Sequence, residues 1–356
     1  MKYTNAATVA ALALCGLTSA SMAQASSVTL YGIVDAGVES YNNAPGGTET
    51  GMRSSGQRGT RWGLHGSEDL GNGLKTIFRL ESGFNVGTGK GDSSGLFNRT
   101  SMVGLKGEWG ELTLGRQYTS AFSITGAFTP FGWSGQYDPI SRYVTSRSNN
   151  SVKYRGTFEK LDASAYYGFR SQEDQMRYDA GKTSAYGAAA SYKFGPIRAM
   201  LGYDHLEATP TSTRTGDTDN YLAGLQAKFG SYKISGVYRY REIEQRQAAD
   251  IVSHFFSLGA MYQFTPANSI ELAYYREHFK NAPTGYLGLT DDTWQQFAAR
   301  AMHRFSKRTN VYLMAVHARS GPINLGFTSD TGGAAYKLDS GKTHQSGVAI
   351  GLFHQF

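Results

Sequence analysis

The sequence has a single cysteine, Cys15, and no later apolar run that would cross a bilayer as a helix, for which roughly 18 or more residues are needed. Cys15 lies in an N-terminal segment that we expect to be removed, so no disulfide stabilises the mature chain. Proline is scarce (8 residues), and only 18% of residues are charged. There is no block of lysines and arginines. The net charge of +7 therefore does not indicate nucleic-acid binding.

The N-terminus has the features of a secretory signal peptide. Lys2 supplies a positive charge, and residues 9–17 form a short apolar stretch. Residues 23–25, Ala-Gln-Ala, give the small-x-small pattern at which signal peptidase cleaves. We expect residues 1–25 to be removed, which leaves one domain of residues 26–356. The protein is thus predicted to be exported.

Glycine, tyrosine and phenylalanine are abundant, with 44, 23 and 19 residues. They occur in runs of about ten residues in which apolar and polar side chains alternate. Between residues 27 and 41, for example, Val28, Leu30 and Val38 would share one face of a strand, and Asp35 and Glu39 the other. We count sixteen such runs. The period of two predicts strands, although a soluble β-sandwich would show it as well.

The connections between these runs separate the two possibilities, because they alternate strictly between short and long. Short turns are predicted at residues 68–72, 109–110, 158–160, 195–196, 230, 265–268 and 307–309. Long polar loops are predicted at residues 42–57, 85–96, 119–149, 172–182, 208–218, 244–252, 280–291 and 320–342. This alternation is typical of membrane barrels with a short-turn rim and a long-loop rim. The prediction is an all-β fold, a 16-stranded antiparallel transmembrane β-barrel.

Several segments resemble the general porins of Gram-negative bacteria, in particular the trimeric porins of the β-proteobacterial type. Parts of the first six strands of that family are resembled by residues 27–37, 60–75, 97–100, 103–107, 112–118 and 149–154. The terminal Phe356 resembles the signal that the outer-membrane assembly machinery reads. The resemblance implies a homotrimer in the outer membrane, with a third external loop folded into the pore. It also implies passive diffusion of small hydrophilic solutes and ions, with no cofactor, metal or catalytic residue.

The long loop at residues 119–149 is the candidate for this inward loop, since it is rich in aromatic residues and glycine. An external flap is the alternative. At its centre Pro130, Phe131 and Trp133 replace the family's glutamate-containing tip, and Asp138 is the nearest acid. The negative side of the expected constriction is therefore weakened.

Arginines dominate the face that strand phase assigns to the lumen. Strand phase directs Arg61, Arg79 and Glu81 inward. It also directs inward more basic residues, such as Arg239 and Arg300, than acidic ones, such as Glu271. By resemblance, Arg61 and Arg99 belong to an arginine ladder, and either Arg142 or Arg147 supplies another member. An inward Arg99 conflicts with strand phase, since Val103 and Leu105 would then also point inward. We expect weak anion selectivity from unopposed guanidinium groups. The alternative is that many of these arginines lie at the rims of the barrel, where salt screens their charge from passing ions.

Arg116 is in phase with Leu112 and Leu114 and is therefore predicted to point outward. An arginine that faces lipid near the bilayer midplane costs about 2–4 kcal/mol. We therefore expect Arg116 to be buried at a subunit contact or to lie near a rim.

The sequence leaves one alternative function open and argues against another. A substrate-specific channel of the same fold, for sugars or organic acids, would use Phe128, Phe131, Trp133 and Tyr137 as a stacking track. An enzyme is not predicted, because the histidines are scattered. The segment Ser340-Gly-Lys-Thr343 also lacks the earlier glycine of a phosphate-binding loop.

Overall fold

The computed structural model describes residues 27–91, 95–170, 184–208, 215–326 and 336–356. The predicted signal peptide, residues 1–25, lies outside the described residues. The strands are β1 Ser27–Ala44, β2 Gly47–Ser54, β3 Arg61–Gly71, β4 Leu74–Gly83, β5 Thr100–Gly107, β6 Gly110–Tyr118, β7 Arg147–Phe158, β8 Leu161–Gly168, β9 Ala185–Phe194, β10 Ile197–Leu206, β11 Thr215–Phe229, β12 Tyr232–Gln245, β13 Ile251–Gln263, β14 Asn268–Lys280, β15 Thr293–Arg304, β16 Thr309–Arg319 and β17 His344–Gln355.

Two short α-helices, α1 Ser120–Thr125 and α2 Ile140–Tyr143, lie between β6 and β7. Two 3-10 turns, Tyr286–Gly288 and Ile323–Gly326, lie in loops. None of the helices in the described part of the chain has the length and apolar character needed to cross a membrane.

The strands close into a ring of antiparallel pairs. From β3 onward each strand pairs with the next, and β1 pairs with both β3 and β17. The seam between β1 and β17 runs from Ile33 opposite Gln355 to Tyr41 opposite Gly347. Sixteen strands form the ring, because β2 pairs with β1 alone and is not a member of it. The predicted 16-stranded barrel is confirmed.

The strand β2 corrects the prediction for residues 42–57, which were expected to form an irregular loop. The second half of β1 and β2 instead make a hairpin, which runs from Ala36 opposite Ser54 to Ala44 opposite Gly47. Asn43, Gly46 and Gly47 adopt positive φ angles at its turn, as a tight hairpin connection requires. The polar composition of this segment hid the strand, since neither of its faces meets an apolar layer.

The two faces of each strand have opposite character, as predicted. Val28 and Leu30 are each 60% exposed on the outside of β1, whereas Asp35 is fully buried on the inside. Cross-strand partners keep the same side, so apolar side chains form a continuous outer surface. A soluble sandwich would bury its apolar face, and this fold does the reverse.

Within the described residues, the other predicted turns and loops agree with the structure apart from small shifts. The loop predicted at residues 172–182 lies outside the described residues, as do parts of those predicted at 85–96, 208–218 and 320–342. The turn expected at residues 68–72 lies at Asn72-Gly73, between β3 and β4. The third long loop spans residues 119–146, because β7 begins at Arg147 rather than after Asn149. Both shifts arise because polar residues at strand ends continue the pairing of the sheet.

The C-terminal residue closes the seam at the short-turn end. The backbone amide of Phe356 donates to the carbonyl of Gly32 at 3.1 Å, and the amide of Gly32 donates to the carbonyl of Phe356 at 3.1 Å. A Cβ atom on Gly32 would lie 2.3 Å from Cζ of Phe356. The ring of Phe356 therefore lies directly over a position that only glycine can occupy.

We expect Gly32→Val to lower the free energy of unfolding by about 1–3 kcal/mol, because the new side chain collides with Phe356 at the seam. Gly51→Val is the matched control, since Gly51 also lies in a strand but a Cβ there meets nothing within 4 Å. Urea-induced unfolding in detergent measures both variants. Equal stability of the two variants would contradict the packing described here.

Candidate functional site

The loop between β6 and β7 enters the lumen as soon as β6 ends. Thr119 caps α1 by accepting a hydrogen bond from the backbone amide of Phe122 at 3.2 Å. The helix packs against the inner wall at β8, β9 and β10, where the hydroxyls of Ser120 and Ser164 lie 2.9 Å apart. The loop is thereby directed inward from its first turn.

The centre of this loop lies against the opposite part of the wall. Pro130 packs on Gly259 of β13, where an added Cβ would lie 2.6 Å from the proline Cβ. Arg300 of β15 donates to the carbonyl of Phe131 at 3.3 Å, and its guanidinium lies 4.9 Å from the centroid of that ring. Arg300 also pairs with Glu271 at 2.6 Å. This part of the loop is therefore fixed by close packing and by one arginine.

A buried ion-pair cluster anchors the far end of the loop. Arg142 of α2 donates to both carboxylate oxygens of Glu277 at 2.7 and 3.0 Å. Arg239 of β12 donates to the same carboxylate and to the hydroxyl of Ser253. Bidentate contacts of this kind fix geometry as well as charge. Glu277 was missed from the sequence, although its phase on β14 matches that of Glu271.

These contacts show that residues 119–146 fold into the barrel rather than forming an external flap. The aromatic residues of the loop also help to hold it against the wall. Phe128, Phe131 and Tyr137 are buried between loop and wall, and Trp133 stacks on Phe122 with ring centroids 4.4 Å apart. The structure therefore places these rings as packing elements, not as a track along the pore.

A second cluster, on β3 to β5, is built around Glu81. Its carboxylate lies 2.8 Å from Nε of Arg99, 3.3 Å from Arg79 and 3.4 Å from Arg61. The hydroxyl of Tyr31 donates to the same carboxylate at 2.8 Å. Three guanidinium groups share one carboxylate here, which leaves an excess of two positive charges. We call these four charged residues the Glu81 cluster.

The structure removes the conflict that strand phase raised for Arg99. Arg99 precedes the first residue of β5, Thr100, so the alternation of that strand does not fix its side chain. It points inward while Val103 and Leu105 are exposed on the outside. The assumption that Arg99 belongs to the regular strand was wrong.

Arg147 extends this cluster, whereas Arg142 does not. Arg147 and Arg99 both donate to the hydroxyl of Tyr118, at 3.0 and 2.8 Å, and the Arg147 guanidinium lies 4.6 Å from the Tyr118 ring centroid. Arg142 instead pairs, together with Arg239, with Glu277 on the other side of the lumen. The sequence left open which of the two belongs with Arg61 and Arg99. In the structure Arg147 lies near the start of the inward loop, and Arg142 fixes its far end.

The expectation that the lumen arginines are unopposed was wrong. Six of them pair with carboxylates, which offsets the cost of burying their charge, namely Arg61, Arg79, Arg99, Arg142, Arg239 and Arg300. The numbers of the two charges are nevertheless unequal, since three arginines share the one carboxylate of Glu81. In the Glu81 cluster the side chains of Arg79 and Arg61 keep 43% and 20% of their exposure, while that of Glu81 keeps 3%. The open lumen therefore meets arginine and not glutamate.

Asp138 does not balance this charge. It is buried in the loop, where it faces the Arg300 guanidinium and the hydroxyls of Tyr143 and Tyr275. Burial raises the pKa of its carboxyl group to about 7, although Arg300 acts in the opposite direction. The loop tip accordingly presents no exposed acid.

Arg116 lies on the outward face near the end of β6, as predicted. Its partner across the sheet is Ser101, which is in phase with the exposed Val103. Its guanidinium donates to the carbonyl of Asn98 at 2.6 Å and to the side chain of Asn149. The position of Arg116 near the long-loop end fits the expectation of a rim residue. Its role in a subunit contact remains a prediction.

Comparison with known proteins decides the family. The model of the Gram-negative porin family matches residues 6–321. The chain belongs to the Gram-negative porin family. It is 31% identical to outer membrane porin protein 32 of Delftia acidovorans, over 97% of this chain and 98% of that protein. It is 28% identical to an outer membrane porin protein of Bordetella pertussis, over 98% and 99% of the two chains.

Among solved structures, this porin is similar to the anion-selective porin from Comamonas acidovorans. The TM-score is 0.77 at 27% identity, with 93% of this chain and all of that chain covered. The protein is an outer-membrane porin whose water-filled barrel allows general diffusion of small hydrophilic solutes. Its short turns thus lie on the periplasmic side and its long loops outside. Among the described residues, no group of three His, Cys, Asp or Glu side chains is placed to hold a metal ion.

We expect the stability of this porin to fall as pH rises from about 4 to 7, through Asp138. The unfolded chain releases this proton near the ordinary value of 3.8 and the folded chain near 7. The folded state therefore holds more protons in that window. Asp138→Asn should flatten the pH dependence of the free energy of unfolding. Asp291→Asn, in an exposed loop, is the control, and a slope unchanged by Asp138→Asn would disprove the assignment.

Proposed function

We propose that this porin is weakly anion-selective. The observation that carries the proposal is the Glu81 cluster, in which three guanidinium groups share a single buried carboxylate. The loop tip opposite it supplies no exposed acid. The similarity to a porin described as anion-selective supports the same conclusion.

The physical basis is the excess charge at the narrow part of the channel. Rings of charged side chains set selectivity in pores, and a passage with one sign of charge raises the local concentration of counter-ions. Since the carboxylates of the wall are paired, the excess is small. Salt also screens it over about 10 Å at 0.1 M. The expected preference is accordingly weak.

Arg79→Gln should reduce this preference, because Arg79 is the most exposed guanidinium of the Glu81 cluster. The reversal potential of single channels in a KCl gradient measures it, and the variant should shift toward zero. Arg308→Gln removes an equal charge from the exposed turn between β15 and β16 and should leave the reversal potential unchanged. A wild-type potential of the sign that indicates cation preference rules out the proposal.

We further propose that Arg61, Arg79, Glu81, Arg99 and Arg147 form the wall side of the constriction. The loop side consists of Pro130, Phe131, Trp133, Asp138 and Arg142. The contacts of the loop with β8, β9 and β10, with Gly259 and with Arg300 support this division. The loop residues shape the passage, and the exposed arginines of the wall give it charge.

We also propose that the protein is a homotrimer whose contacts involve the outer faces of β3 to β6. Membrane-facing barrel surfaces carry belts of aromatic residues. The outer faces of β8 to β13 carry such residues, namely Tyr167, Tyr186, Tyr192, Phe194, Tyr203, Tyr221, Phe229, Tyr232, Tyr238, Phe256 and Tyr262. The outer faces of β5 and β6 carry aliphatic residues instead, including Val103, Leu105, Leu112 and Leu114. Arg116 lies at the outer edge of this smooth surface.

A bulky substitution tests this arrangement. Val103→Trp should lower the temperature at which the trimer dissociates in sodium dodecyl sulfate, since it prevents close approach of a second subunit. Leu225→Trp, on the outer face of β11, should have little effect because a tryptophan is tolerated against lipid. Equal dissociation temperatures for the two variants would show that β5 does not lie at the contact.

Export and assembly complete the proposal. We propose that residues 1–25 are removed on export and that the outer-membrane assembly machinery recognises Phe356. The exposure of the Phe356 side chain at the periplasmic end of the seam supports its accessibility to a partner.

A further inference from the structure

Residues 55–60 join β2 to β3 and belong to neither strand. We call them the bridge segment. Its first residue, Ser55, adopts a positive φ angle of 70°, a conformation that residues other than glycine rarely adopt. The backbone amide of its last residue, Thr60, donates to the hydroxyl of Ser55 at 2.9 Å. The segment is therefore a compact turn rather than an extended continuation of β2.

The carboxylate of Asp35 holds the bridge segment on the wall. Asp35 lies on the inner face of β1 and is fully buried. One of its carboxylate oxygens accepts from the backbone amides of Gln57 and Arg58, both at 2.6 Å. The other oxygen accepts from the hydroxyl of Tyr312, on β16, at 2.7 Å. The backbone of Gln57 and Arg58 is thereby fixed at a defined position on the wall.

The bridge segment also holds the tip of the inward loop. The carbonyl of Gly56 accepts from the backbone amide of Gln136 at 3.0 Å and from the hydroxyl of Ser134 at 3.1 Å. The guanidinium of Arg58 donates to the carbonyl of Gly132. The loop tip is therefore attached to the bridge segment by three hydrogen bonds, in addition to its packing on Gly259 and Arg300.

Gly56 lies at the point where wall and loop approach each other. A Cβ atom there would lie 2.1 Å from the hydroxyl oxygen of Tyr312 and 2.8 Å from Oε1 of Gln136. Side chains of the wall and of the loop thus contact the same backbone position. The bridge segment fills the space between them and leaves the loop tip little freedom to move.

The other end of the bridge segment borders the Glu81 cluster. The carbonyl of Gly59 accepts from a guanidinium nitrogen of Arg61 at 3.2 Å. A Cβ atom on Gly59 would lie 3.0 Å from Nη1 of Arg99, so the Arg99 guanidinium packs directly on this glycine. Arg58 therefore lies between the loop tip and the arginines of the wall.

Arg58 differs from the six arginines that pair with carboxylates. Its guanidinium binds a peptide carbonyl, and within the part of the chain that the structure describes no carboxylate lies within 4.0 Å of it. Asp35 binds the backbone amide of Arg58 and not its side chain. Because a carbonyl is uncharged, it fixes the direction of the guanidinium without cancelling its charge. Arg58 is half-buried, so this charge is partly exposed to the lumen.

The charged side chains around Arg58 do not balance it. Arg61 and Arg300 have the same sign, and Asp138 has the opposite sign. The pKa of the Asp138 carboxyl group is about 7 because of its burial. At neutral pH this acid is therefore only partly charged, and the surroundings of Arg58 remain positive.

We propose that Arg58 is a specificity-determining residue of the pore and that Asp35 is the residue that positions it. The inference rests on the anion selectivity proposed above and assigns part of it to a residue outside the Glu81 cluster. A fixed positive charge in a narrow passage attracts an anion and repels a cation. Bound to the carbonyl of Gly132, Arg58 supplies this charge at the loop tip, where Pro130 and Phe131 supply none. The passage is then positive on both its loop side and its wall side.

The first test removes the charge of Arg58. The ratio of chloride to potassium permeability, obtained from the reversal potential of single channels in a KCl gradient, should fall about twofold in Arg58→Gln. Arg58→Lys keeps the charge and should restore most of the ratio. Arg246→Gln is the matched control, because it removes the same charge from the exposed loop between β12 and β13 and should leave the ratio unchanged.

The second test separates the positioning role of Asp35 from its charge. Asp35→Asn and Asp35→Ala remove the same charge, but only asparagine keeps an oxygen that accepts from the amides of Gln57 and Arg58. If Asp35 positions Arg58, the permeability ratio should be about twofold lower in Asp35→Ala than in Asp35→Asn. Arg58→Gln should then change the ratio further in the Asp35→Asn background and little in the Asp35→Ala background.

Heat-modifiable migration in gels shows whether each variant forms the barrel. If Asp35→Ala does not form it, Tyr312→Phe takes its place, because it removes a hydrogen bond from the same carboxylate. The ratio in Tyr312→Phe should fall in the same direction. A ratio equal to that of the wild type in this variant would contradict the positioning role.

The outcomes distinguish this inference from the anion selectivity on which it rests. An unchanged ratio in Arg58→Gln, together with the expected fall in Arg79→Gln, would overturn the inference and leave the anion selectivity in place. A wild-type channel that prefers cations would overturn the anion selectivity, whereas Arg58→Gln would still have to lower the ratio by the same factor. Equal ratios in Asp35→Asn and Asp35→Ala would show that Asp35 does not position Arg58.

Discussion

The closure of the sheet is the constraint on which the rest of the structure depends. In the bilayer core no water is present to satisfy backbone amides and carbonyls, so a strand with a free edge is not tolerated. In this porin β1 meets the requirement by pairing with β3 on one side and β17 on the other. Phe356 and Gly32 complete the seam with reciprocal backbone hydrogen bonds. Once the ring is closed, alternation sends every second side chain to lipid and the rest to the lumen.

A loop inside a closed barrel with a polar interior needs specific contacts that hold it in one position. Apolar packing contributes at Pro130 and Phe131, but the attachment at the far end relies on Glu277 and its arginines. The carboxylates of Glu277, Glu271 and Glu81 are all paired with arginines. The charge that remains exposed to solutes is therefore a small excess of arginine, a by-product of how the loop and wall are held together.

Strand phase gives the same residue type two different environments. Arg239 and Glu277 are buried together on the inner side, while Arg276, a chain neighbour of Glu277, is exposed on the outer side with no carboxylate near it among the described residues. Inside, Arg239 and Arg142 share the carboxylate of Glu277. Outside, Arg276 is directed away from these acids, because side chains alternate along β14.

The sequence by itself determined the strands, their phase and the alternation of turns, because a period of two is a local property of the chain. It placed Asp35, Arg61 and Glu81 on the inner face correctly for that reason. It failed for β2, whose faces meet no apolar layer, and for Arg99, which precedes its strand. The tertiary structure alone decided which charges meet. Arg142 and Glu277 are 135 residues apart in sequence, and only the closure of the ring and the path of the loop bring them together, since phase fixes a side but not a partner across the lumen.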